Sequence, residues 1–370
     1  MRILSRGAIN VTASETARIA QSDQILIVSG AQSGRHPAIA DTIHNLQKQF
    51  TCRHYVVEAW LATIEEYENY QKIHQDFSPG CIIAIGGGRV MDFAKLIGTK
   101  YSADEIRQRH KNKEAILRTI PLIAVPTTAG SGAEATPFAV FYFANEKSTV
   151  TDPSFLPDTE IIDPDLLSSL SRKQLAISGA DAICQSIESI FSPDITSQSL
   201  LISKTAFTAG ISALKRCVNG ELPVFDELLC LASNLAGQAI TMVRTNVPHA
   251  LSYYLTSHYD IPHGQAVSFY IGAYLEDAVE KVKTLHSISR PELVETCKAL
   301  ELALNIQNGQ SFESAWHDFM QEIGLSPYFI HEDAEQIRED ILQSANIERL
   351  NNLIVPLDIR KIVEKSIRSH

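Results

Sequence analysis

Short apolar segments alternate with helical periodicity before Asp163-Pro164, and this alternation most limits the folds open to the chain. The apolar segments cover residues 24–28, 54–58, 81–85 and 121–125. Strands that are buried on both faces and separated by helices indicate a parallel α/β sheet. We predict two further strands, Phe138–Phe143 and Glu160–Ile162, as a hairpin at the edge of this sheet.

The pattern changes after Asp163-Pro164, where strand signals stop and long helical periods begin. The predicted helices cover residues 173–191, 197–217, 222–243, 264–283, 291–305, 310–323, 333–345 and 357–368. The predicted fold class is therefore α/β followed by all-α. We divide the chain into a parallel-sheet domain over 1–168 and an all-helical domain over 169–370.

The composition indicates a globular protein, because 45% of the 370 residues are hydrophobic and 20% are charged. A net charge of −11 argues against nucleic acid or an anionic membrane as the main partner. No apolar run approaches the roughly 20 residues that span a bilayer, and residues 1–22 contain no apolar stretch of signal-peptide length. We expect a cytoplasmic protein that binds no membrane. Its six cysteines form no CxxC pair, so we expect reduced, mostly buried thiols.

Two clusters of small residues follow predicted strands. Gly86-Gly-Gly-Arg89 joins a strand to a helix, and Pro126-Thr-Thr-Ala-Gly-Ser-Gly132 follows the next strand. Backbone N–H groups in a glycine-rich turn can approach a phosphate at a helix N-terminus, and parallel sheets bind ligands at the carboxyl ends of strands. Together the clusters predict an extended ligand such as a dinucleotide, although each alone also fits a simple turn or polar loop. Lys95, in the helix that follows Gly86-Gly-Gly-Arg89, is either an anion contact or a solvated surface lysine.

Asp181 and Gln185 are the polar pair in the predicted helix 173–191. Four residues apart, they point from one helical face, about 5–6 Å apart at Cβ. Their neighbours are Ala, Ile and Cys, so two oxygens on an apolar face need a partner. That partner is either a hydrogen-bond network or a cation completed by residues elsewhere in the chain.

Three histidines within fifteen residues, His249, His258 and His263, offer the missing ligands. Imidazole nitrogen and carboxylate oxygen both bind iron, zinc, cobalt or nickel. Asp181, His249 and His263 together can hold one divalent ion. The competing interpretation makes each histidine an ordinary structural residue.

These motifs, in this order, resemble those of the iron-containing (group III) alcohol dehydrogenase family almost from end to end. Its GGGSxxDxAK motif is similar to Gly86-Gly-Gly-Arg-Val-Met-Asp92-Phe-Ala-Lys95, with Arg89 in place of serine, and its PTTxGTGSE motif to Pro126–Glu134. The K…LLPD…DP segment matches Lys147, Pro157-Asp158 and Asp163-Pro164. The GxDAL helix matches Gly179-Ala-Asp181-Ala-Ile, and HAxxH…PHG matches His249 to His263-Gly264.

The resemblance implies a Rossmann-like dinucleotide-binding domain over 1–168 and a metal- and substrate-binding helical domain over 169–370, as in the dehydroquinate synthase-like architecture. It places the cofactor and metal in the cleft between them and implies a homodimer. The implied metal ligands are Asp181, Gln185, His249 and His263, with Gln185 where the family has histidine. The alternative is a site of three ligands in which Gln185 contacts substrate or water. Tyr253 replaces the second histidine of HAxxH, which lies close to the substrate. The residues assigned to cofactor binding are Ser33, Gly86, Gly87, Gly88, Asp92, Thr127, Thr128, Ser131 and Lys147.

The segments around Gln185 and Tyr253, where this chain departs from the family pattern, resemble the phosphonoacetaldehyde reductase branch of the family. They appear as Asp181-Ala-Ile-Cys-Gln185-Ser-Ile-Glu-Ser189 and as Pro248-His-Ala-Leu-Ser-Tyr253. Tyr254 and Arg89 fit this branch less well. A substrate with a phosphonate group needs cationic or N–H donors, and the sequence offers Lys147, Arg244 and Arg89 as candidates.

The implied reaction is reduction of phosphonoacetaldehyde to 2-hydroxyethylphosphonate, with Asp181, His249, His263 and Tyr253 as catalytic residues. Fe²⁺ or Zn²⁺ would polarise the carbonyl group as hydride arrives from the nicotinamide. The proton would come from water, the cofactor ribose or Tyr253. An acidic residue after the first strand would favour NADH; none occurs through Gly34, and Ser33 and Arg35 follow, so we expect NADPH in preference to NADH.

Three other functions fit the same residues. The first is an alcohol dehydrogenase or aldehyde reductase of broad specificity, with no preference for phosphonates. The second is a sugar-phosphate cyclase-like lyase that uses NAD and a metal. The third is a metal-free nucleotide-binding protein in which Gln185 marks a lost metal site.

Overall fold

A computed structural model describes residues 1–58, 62–143, 146–221, 224–285 and 290–369, and of residues 146, 147, 224 and 225 it describes the backbone alone. The chain divides into two compact units. The first comprises Met1–Thr128 and Gly132–Ser169, and the second comprises Ala129–Ser131 and Leu170–His370.

The first unit contains a parallel six-stranded sheet and five α-helices among its described residues. Its strands are β1 (Arg2–Leu4), β2 (Gln24–Gly30), β3 (Thr51–Val57), β4 (Cys81–Gly86), β5 (Leu122–Pro126), β6 (Phe138–Phe143), β7 (Glu146–Thr151) and β8 (Thr159–Ile162). Its helices are α1 (Thr12–Ile19), α2 (Pro37–Gln49), α3 (Ile64–Ile73), α4 (Gly88–Ile97) and α5 (Ala103–Lys111). The sheet order is β1-β8-β5-β4-β2-β3, with every pair parallel. The predicted parallel α/β sheet is thereby confirmed.

The central strand β4 shows why this sheet forms. All six of its residues are buried, and they alternate between two cores. Ile82 and Ala84 belong to one apolar cluster, whereas Ile83 and Ile85 belong to the other. Because side chains of a strand point alternately to opposite faces, a continuous apolar run requires cover on both sides. Helices and loops packed on each face provide that cover.

The predicted edge hairpin was wrong in its pairing. Phe138–Phe143 pairs with Glu146–Thr151 as an antiparallel sheet of two strands, not with residues 160–162. Strand β8 instead lies inside the main sheet, between β1 and β5. The short strand β1 was missed, because three residues at a chain end carry too little periodicity to detect.

The second unit is helical, as predicted. Its helices are α6 (Arg172–Ile190), α7 (Ser197–Val218), α8 (Val224–Val243), α9 (Val247–His258), α10 (His263–Thr284), α11 (Pro291–Ala303), α12 (Phe312–Glu322), α13 (Ala334–Ser344), α14 (Ile347–Leu350) and α15 (Ile359–Ser366). The predicted helix over 222–243 includes residues 222 and 223, which lie outside the described residues. Two strands of two residues each, β9 (Phe329–Ile330) and β10 (Ile367–Arg368), pair in parallel and were not expected.

Two composition-based expectations can be compared with the described residues. All six cysteines have free thiols; Cys52 is partly exposed and the other five are buried. None of the described helices combines the length and apolarity that crossing a bilayer requires.

Candidate metal centre

Three helices of the second unit bring the predicted ligands together. Asp181 lies in the middle of α6, His249 in the first turn of α9, and His263 is the first residue of α10. One ligand atom from each residue lies within 4.8 Å of the others. His249 Nε2 is 3.5 Å from Asp181 Oδ1, and the two imidazole centroids are 5.3 Å apart. A carboxylate oxygen and two imidazole nitrogens at this separation suit a divalent transition metal.

Close helix packing positions the third ligand. Gly264 follows His263, and a Cβ atom on it would lie 2.2 Å from the carbonyl oxygen of Ile177 and 2.9 Å from Asp181 Cβ. Only glycine therefore permits α10 to begin directly against α6. The contact sets the spacing between the Asp181 carboxylate and the His263 ring.

Glu188 holds the candidate ligand His249 in place, although the sequence did not lead us to predict it as a site residue. This carboxylate is fully buried. Its Oε1 accepts a short hydrogen bond from His249 Nδ1, and its Oε2 accepts one from the Asn246 N–H at 2.7 Å. A proton on Nδ1 leaves the Nε2 lone pair directed toward Asp181. Glu188 follows Asp181 by seven residues, about two helical turns, so their shared face was a signal available in the sequence.

Burial and the neighbouring carboxylates have opposite effects on the pKa of His249. Burial lowers the pKa of this imidazole, but Glu188 and Asp181 more than offset that effect and raise the pKa above its usual value. The same two carboxylates would favour a cation bound at Nε2.

Gln185 lies beside this set, as its spacing predicted. It is 4% exposed, and its Nε2 donates to Asp181 Oδ2 at 3.3 Å. Its Oε1 is buried and accepts no hydrogen bond from any described residue. A buried acceptor without a donor is costly, and a metal ion bound by the neighbouring ligands would offset that cost. The residues present therefore fit a divalent ion.

An aromatic ring and a cation border the ligand set. The Tyr253 ring stacks on His263 with centroids 5.9 Å apart and an interplanar angle of 19°. The guanidinium carbon of Arg349 lies 5.8 Å from the centroid of the same ring. Loss of water raises the pKa of the Tyr253 phenol, while Arg349 acts in the opposite direction. The third histidine of the cluster, His258, is exposed and stacks on Tyr254 at 4.2 Å, outside the ligand set.

The glycine-rich turn meets Thr127 and Thr128 at the carboxyl ends of the neighbouring strands β4 and β5 in the first unit. The Thr127 N–H donates to the Gly86 carbonyl at 3.0 Å. A Cβ atom on Gly86 would lie 2.6 Å from Val90 Cγ2, and one on Gly87 would lie 3.3 Å from Thr128 Oγ1. Gly87 is the N-cap of α4, so the N–H groups of that first turn have no side-chain cap. Such a turn suits a phosphate group.

Both expectations for Lys95 were wrong. Its side chain is fully buried and donates to the carbonyl oxygens of Ala133, Thr136 and Phe138 at 2.6–3.0 Å. Burial lowers the pKa of this amine to about 8. Lys95 therefore ties the segment after the threonine-rich loop to α4, where sequence spacing alone could not show its depth.

The other residues assigned to cofactor binding have the following places. Ser33 is buried, and its hydroxyl group accepts a hydrogen bond from the Gly30 N–H at 3.0 Å. The same hydroxyl group donates to the carbonyl oxygen of Gly30 or of Ile85. Asp92 Oδ1 is 3.8 Å from Lys95 Nζ. Ser131 belongs to the second unit. The Lys147 side chain lies outside the described residues.

Comparison with known proteins identifies the class of the chain. The model described as "Iron-containing alcohol dehydrogenase" matches residues 2–164, and the model of the family's C-terminal region matches residues 175–366. The chain therefore belongs to the iron-containing alcohol dehydrogenase family.

Two curated proteins of known or probable activity are similar to part of the chain. The chain is 37% identical over 205 residues to a phosphonoacetaldehyde reductase of Streptomyces viridochromogenes, covering 52% of each protein. It is 31% identical over 204 residues to the probable alcohol dehydrogenase EutG of Escherichia coli, covering 53% of this chain and 51% of the relative. The chain thus matches about half the length of these curated relatives.

Solved structures share the fold over nearly the whole chain. A sulfoacetaldehyde reductase from Bifidobacterium kashiwanohense, in complex with NAD⁺, superposes with a TM-score of 0.81 at 22% identity, covering 98% of this chain and 95% of the other. An iron-containing alcohol dehydrogenase from Thermotoga maritima has a TM-score of 0.79 at 20% identity, covering 98% and 96%. At these identities the likeness shows the fold alone.

Proposed function

We propose that this protein reduces a small aldehyde to its alcohol, using NAD(P)H and a divalent metal. The observation that carries the proposal is the convergence of Asp181, His249 and His263 within 4.8 Å, with Glu188 orienting His249. Asp181, His249, His263 and, through its buried Oε1, Gln185 would hold the metal. When bound, the ion supplies a Lewis acid for a carbonyl oxygen.

The chain's own residues account for binding and orientation. The turn at Gly86–Gly88 and the loop at Thr127 and Thr128 would bind the dinucleotide phosphates through N–H and hydroxyl groups. A bound nicotinamide cofactor would supply the hydride for the aldehyde carbon, and the alcohol product requires one proton at its oxygen. Tyr253, stacked on His263, keeps a phenolic proton beside the site, with water and the cofactor ribose as the other donors.

Phosphonoacetaldehyde is the substrate that we propose, with 2-hydroxyethylphosphonate as product. The 37% identity to a phosphonoacetaldehyde reductase supports this choice, as does Gln185 where the family has histidine. The similarity to EutG, over a comparable length, favours a broad alcohol dehydrogenase as the second candidate.

We propose NADPH as the preferred cofactor. Residues 29–34 at the end of β2 contain no carboxylate that would hold a ribose 2′-hydroxyl group and repel a 2′-phosphate. The structural relative from Bifidobacterium was solved with NAD⁺, so the two cofactors need direct comparison.

One assay tests these proposals together. Protein purified without oxygen is mixed with Fe²⁺, Zn²⁺, Co²⁺ or Mn²⁺, and oxidation of NADPH or NADH is followed with phosphonoacetaldehyde, acetaldehyde and propanal. We expect the highest kcat/KM with phosphonoacetaldehyde and NADPH. Equal kcat/KM for all aldehydes would favour the broad enzyme, a strong preference for NADH would contradict the cofactor choice, and no activity with any metal would refute reductase function.

A further inference from the structure

Arg349 is a cation beside the candidate metal centre that no motif indicates. It lies in the short helix α14, and its guanidinium carbon is 5.8 Å from the Tyr253 ring centroid. That ring stacks in turn on the metal-ligand candidate His263 at 5.9 Å. The guanidinium group is therefore only one aromatic ring away from the ligand set.

Hydrogen bonds fix the position of this arginine. One guanidinium nitrogen donates to the buried hydroxyl group of Thr245. Asn346 caps α14 by accepting from the Arg349 N–H at 2.9 Å. Asn352, just after the helix, donates to the carbonyl oxygens of Val243 and Thr245 at 2.9 and 3.2 Å. The cation is thus held at a defined place instead of projecting freely into solvent.

Most of the hydrogen-bonding capacity of the Arg349 guanidinium group is unused among the residues that the structure describes. A guanidinium group has five N–H donors in a fork that matches two oxygens of an anion. Across the described residues, Arg349 forms no ion pair with Asp or Glu, and its side chain has one hydrogen bond, to Thr245. By contrast, Arg360 in the same unit pairs with Glu339 on the surface.

We infer that Arg349 binds the anionic group of the substrate, a phosphonate or a sulfonate oxyanion, while the aldehyde group lies at the metal ligands. The inference rests on the proposed function and names its specificity residue. In a two-carbon aldehyde the phosphorus or sulfur atom is two covalent bonds from the carbonyl carbon, so its oxyanion requires a cation near the metal ligands. The Arg349 guanidinium group lies against Tyr253, the ring that stacks on His263. A planar fork with free donors matches such an oxyanion better than an ammonium group would.

The three cations that were proposed from the sequence as anion-binding residues have less structural support than Arg349. The Arg89 guanidinium lies in the first unit and donates to the Val57 carbonyl at 3.4 Å. Arg244 is exposed at the end of α8, and its side chain contacts none of the described polar groups. The Lys147 side chain lies outside the described residues.

The test compares an anionic with a neutral aldehyde in Arg349→Gln, Arg349→Lys and a control, Arg360→Gln, which removes one positive charge from the same unit. We expect Arg349→Gln to lower kcat/KM for phosphonoacetaldehyde on the order of 100-fold, mostly through KM, because charge-assisted hydrogen bonds are lost. Propanal turnover should change less than about 3-fold, since a neutral substrate has no oxyanion to bind. Arg349→Lys should recover part of the loss, and Arg360→Gln should match the wild type.

Methylphosphonate, as an inhibitor of propanal reduction, separates this inference from the substrate proposal. We expect it to inhibit the wild type and Arg360→Gln but not Arg349→Gln. If the wild type reduces propanal and ignores phosphonoacetaldehyde, the substrate proposal fails while inhibition still tests the anion site. An equal loss of kcat/KM for both aldehydes in Arg349→Gln would show that Arg349 only supports the Tyr253 ring. Unchanged kinetics in this variant would also overturn the inference, as would a wild type that methylphosphonate does not inhibit.

Discussion

Replacing Glu188 with glutamine tests whether this carboxylate orients His249 for metal binding. Both of its oxygens accept hydrogen bonds, one from His249 Nδ1 and one from the Asn246 N–H at 2.7 Å. Glutamine has one oxygen and one NH₂ group, so one of these two donors must face another donor. The conflict is relieved at His249 if the imidazole proton moves from Nδ1 to Nε2, and that proton would block the ligand atom.

The expected magnitude follows from this change. Loss of an outer carboxylate typically weakens metal binding about 10–100-fold, which corresponds to about 1.4–2.8 kcal/mol. Because the amide oxygen then still accepts from the Asn246 N–H, the folding stability should change little. The variant should therefore remain folded and bind metal more weakly.

The assay is a competition between the folded protein and a chelator for Zn²⁺ or Co²⁺, with circular dichroism as the check on folding. Glu276→Gln is a matched control, because Glu276 also accepts from a backbone N–H, that of Phe312 at 2.7 Å, without contacting the ligands. We expect the control to lose stability and keep its metal affinity. A folded Glu188→Gln protein that binds metal within about 2-fold of the wild type, far less than the loss expected of such carboxylates, would refute the assigned role.

Three further changes have defined outcomes. Gln185→His should tighten metal binding about 10-fold or more, because a nitrogen ligand replaces a neutral amide oxygen, and should reduce any preference for phosphonoacetaldehyde; unchanged affinity in the chelator competition would contradict this. Gly264→Ala should weaken metal binding and lower the melting temperature, since its methyl group would lie 2.2 Å from the Ile177 carbonyl oxygen. Lys95→Met should destabilise the protein by about 2–4 kcal/mol, because three carbonyl groups lose their donor. Burial lowers the pKa of Lys95 from 10.5 to about 8, so between these pH values the unfolded chain binds one proton more than the folded protein. The free energy of unfolding of the wild type should therefore rise with pH through that window. Urea titrations should show its excess over that of Lys95→Met increasing.

Local patterns were sufficient to predict the sheet and to select three candidate metal ligands that the fold brings together. The apolar run at residues 81–85 was sufficient to predict a strand buried on both faces, because all of its residues are apolar. Asp181, His249 and His263 were recognisable because their types and spacings match one metal-binding motif. The homodimer and the cytoplasmic location stay predictions.

Contacts between distant segments were not predictable in this way. Lys95 has the sequence environment of an ordinary helical lysine, and only the fold brings carbonyl groups 38 to 43 residues away onto its amine. Arg349 lies in a helix of four residues, too short for a periodic signal, yet tertiary hydrogen bonds place it beside Tyr253. The pairing of β6 with β7 was missed because residues Glu146–Thr151 were not predicted to form a strand.

The placement of the three candidate ligands on helices has a consequence for how the proposed metal would be acquired. Helix packing at Gly264 and the hydrogen bonds of Glu188 order these side chains through contacts of the protein itself. Metal loading would then be a binding event and not a folding event, unlike that of small zinc domains that unfold without their ion. Chelation should leave a folded protein that exchanges metals reversibly, so the supply of metals in the cell, more than the fold, would decide which ion it carries.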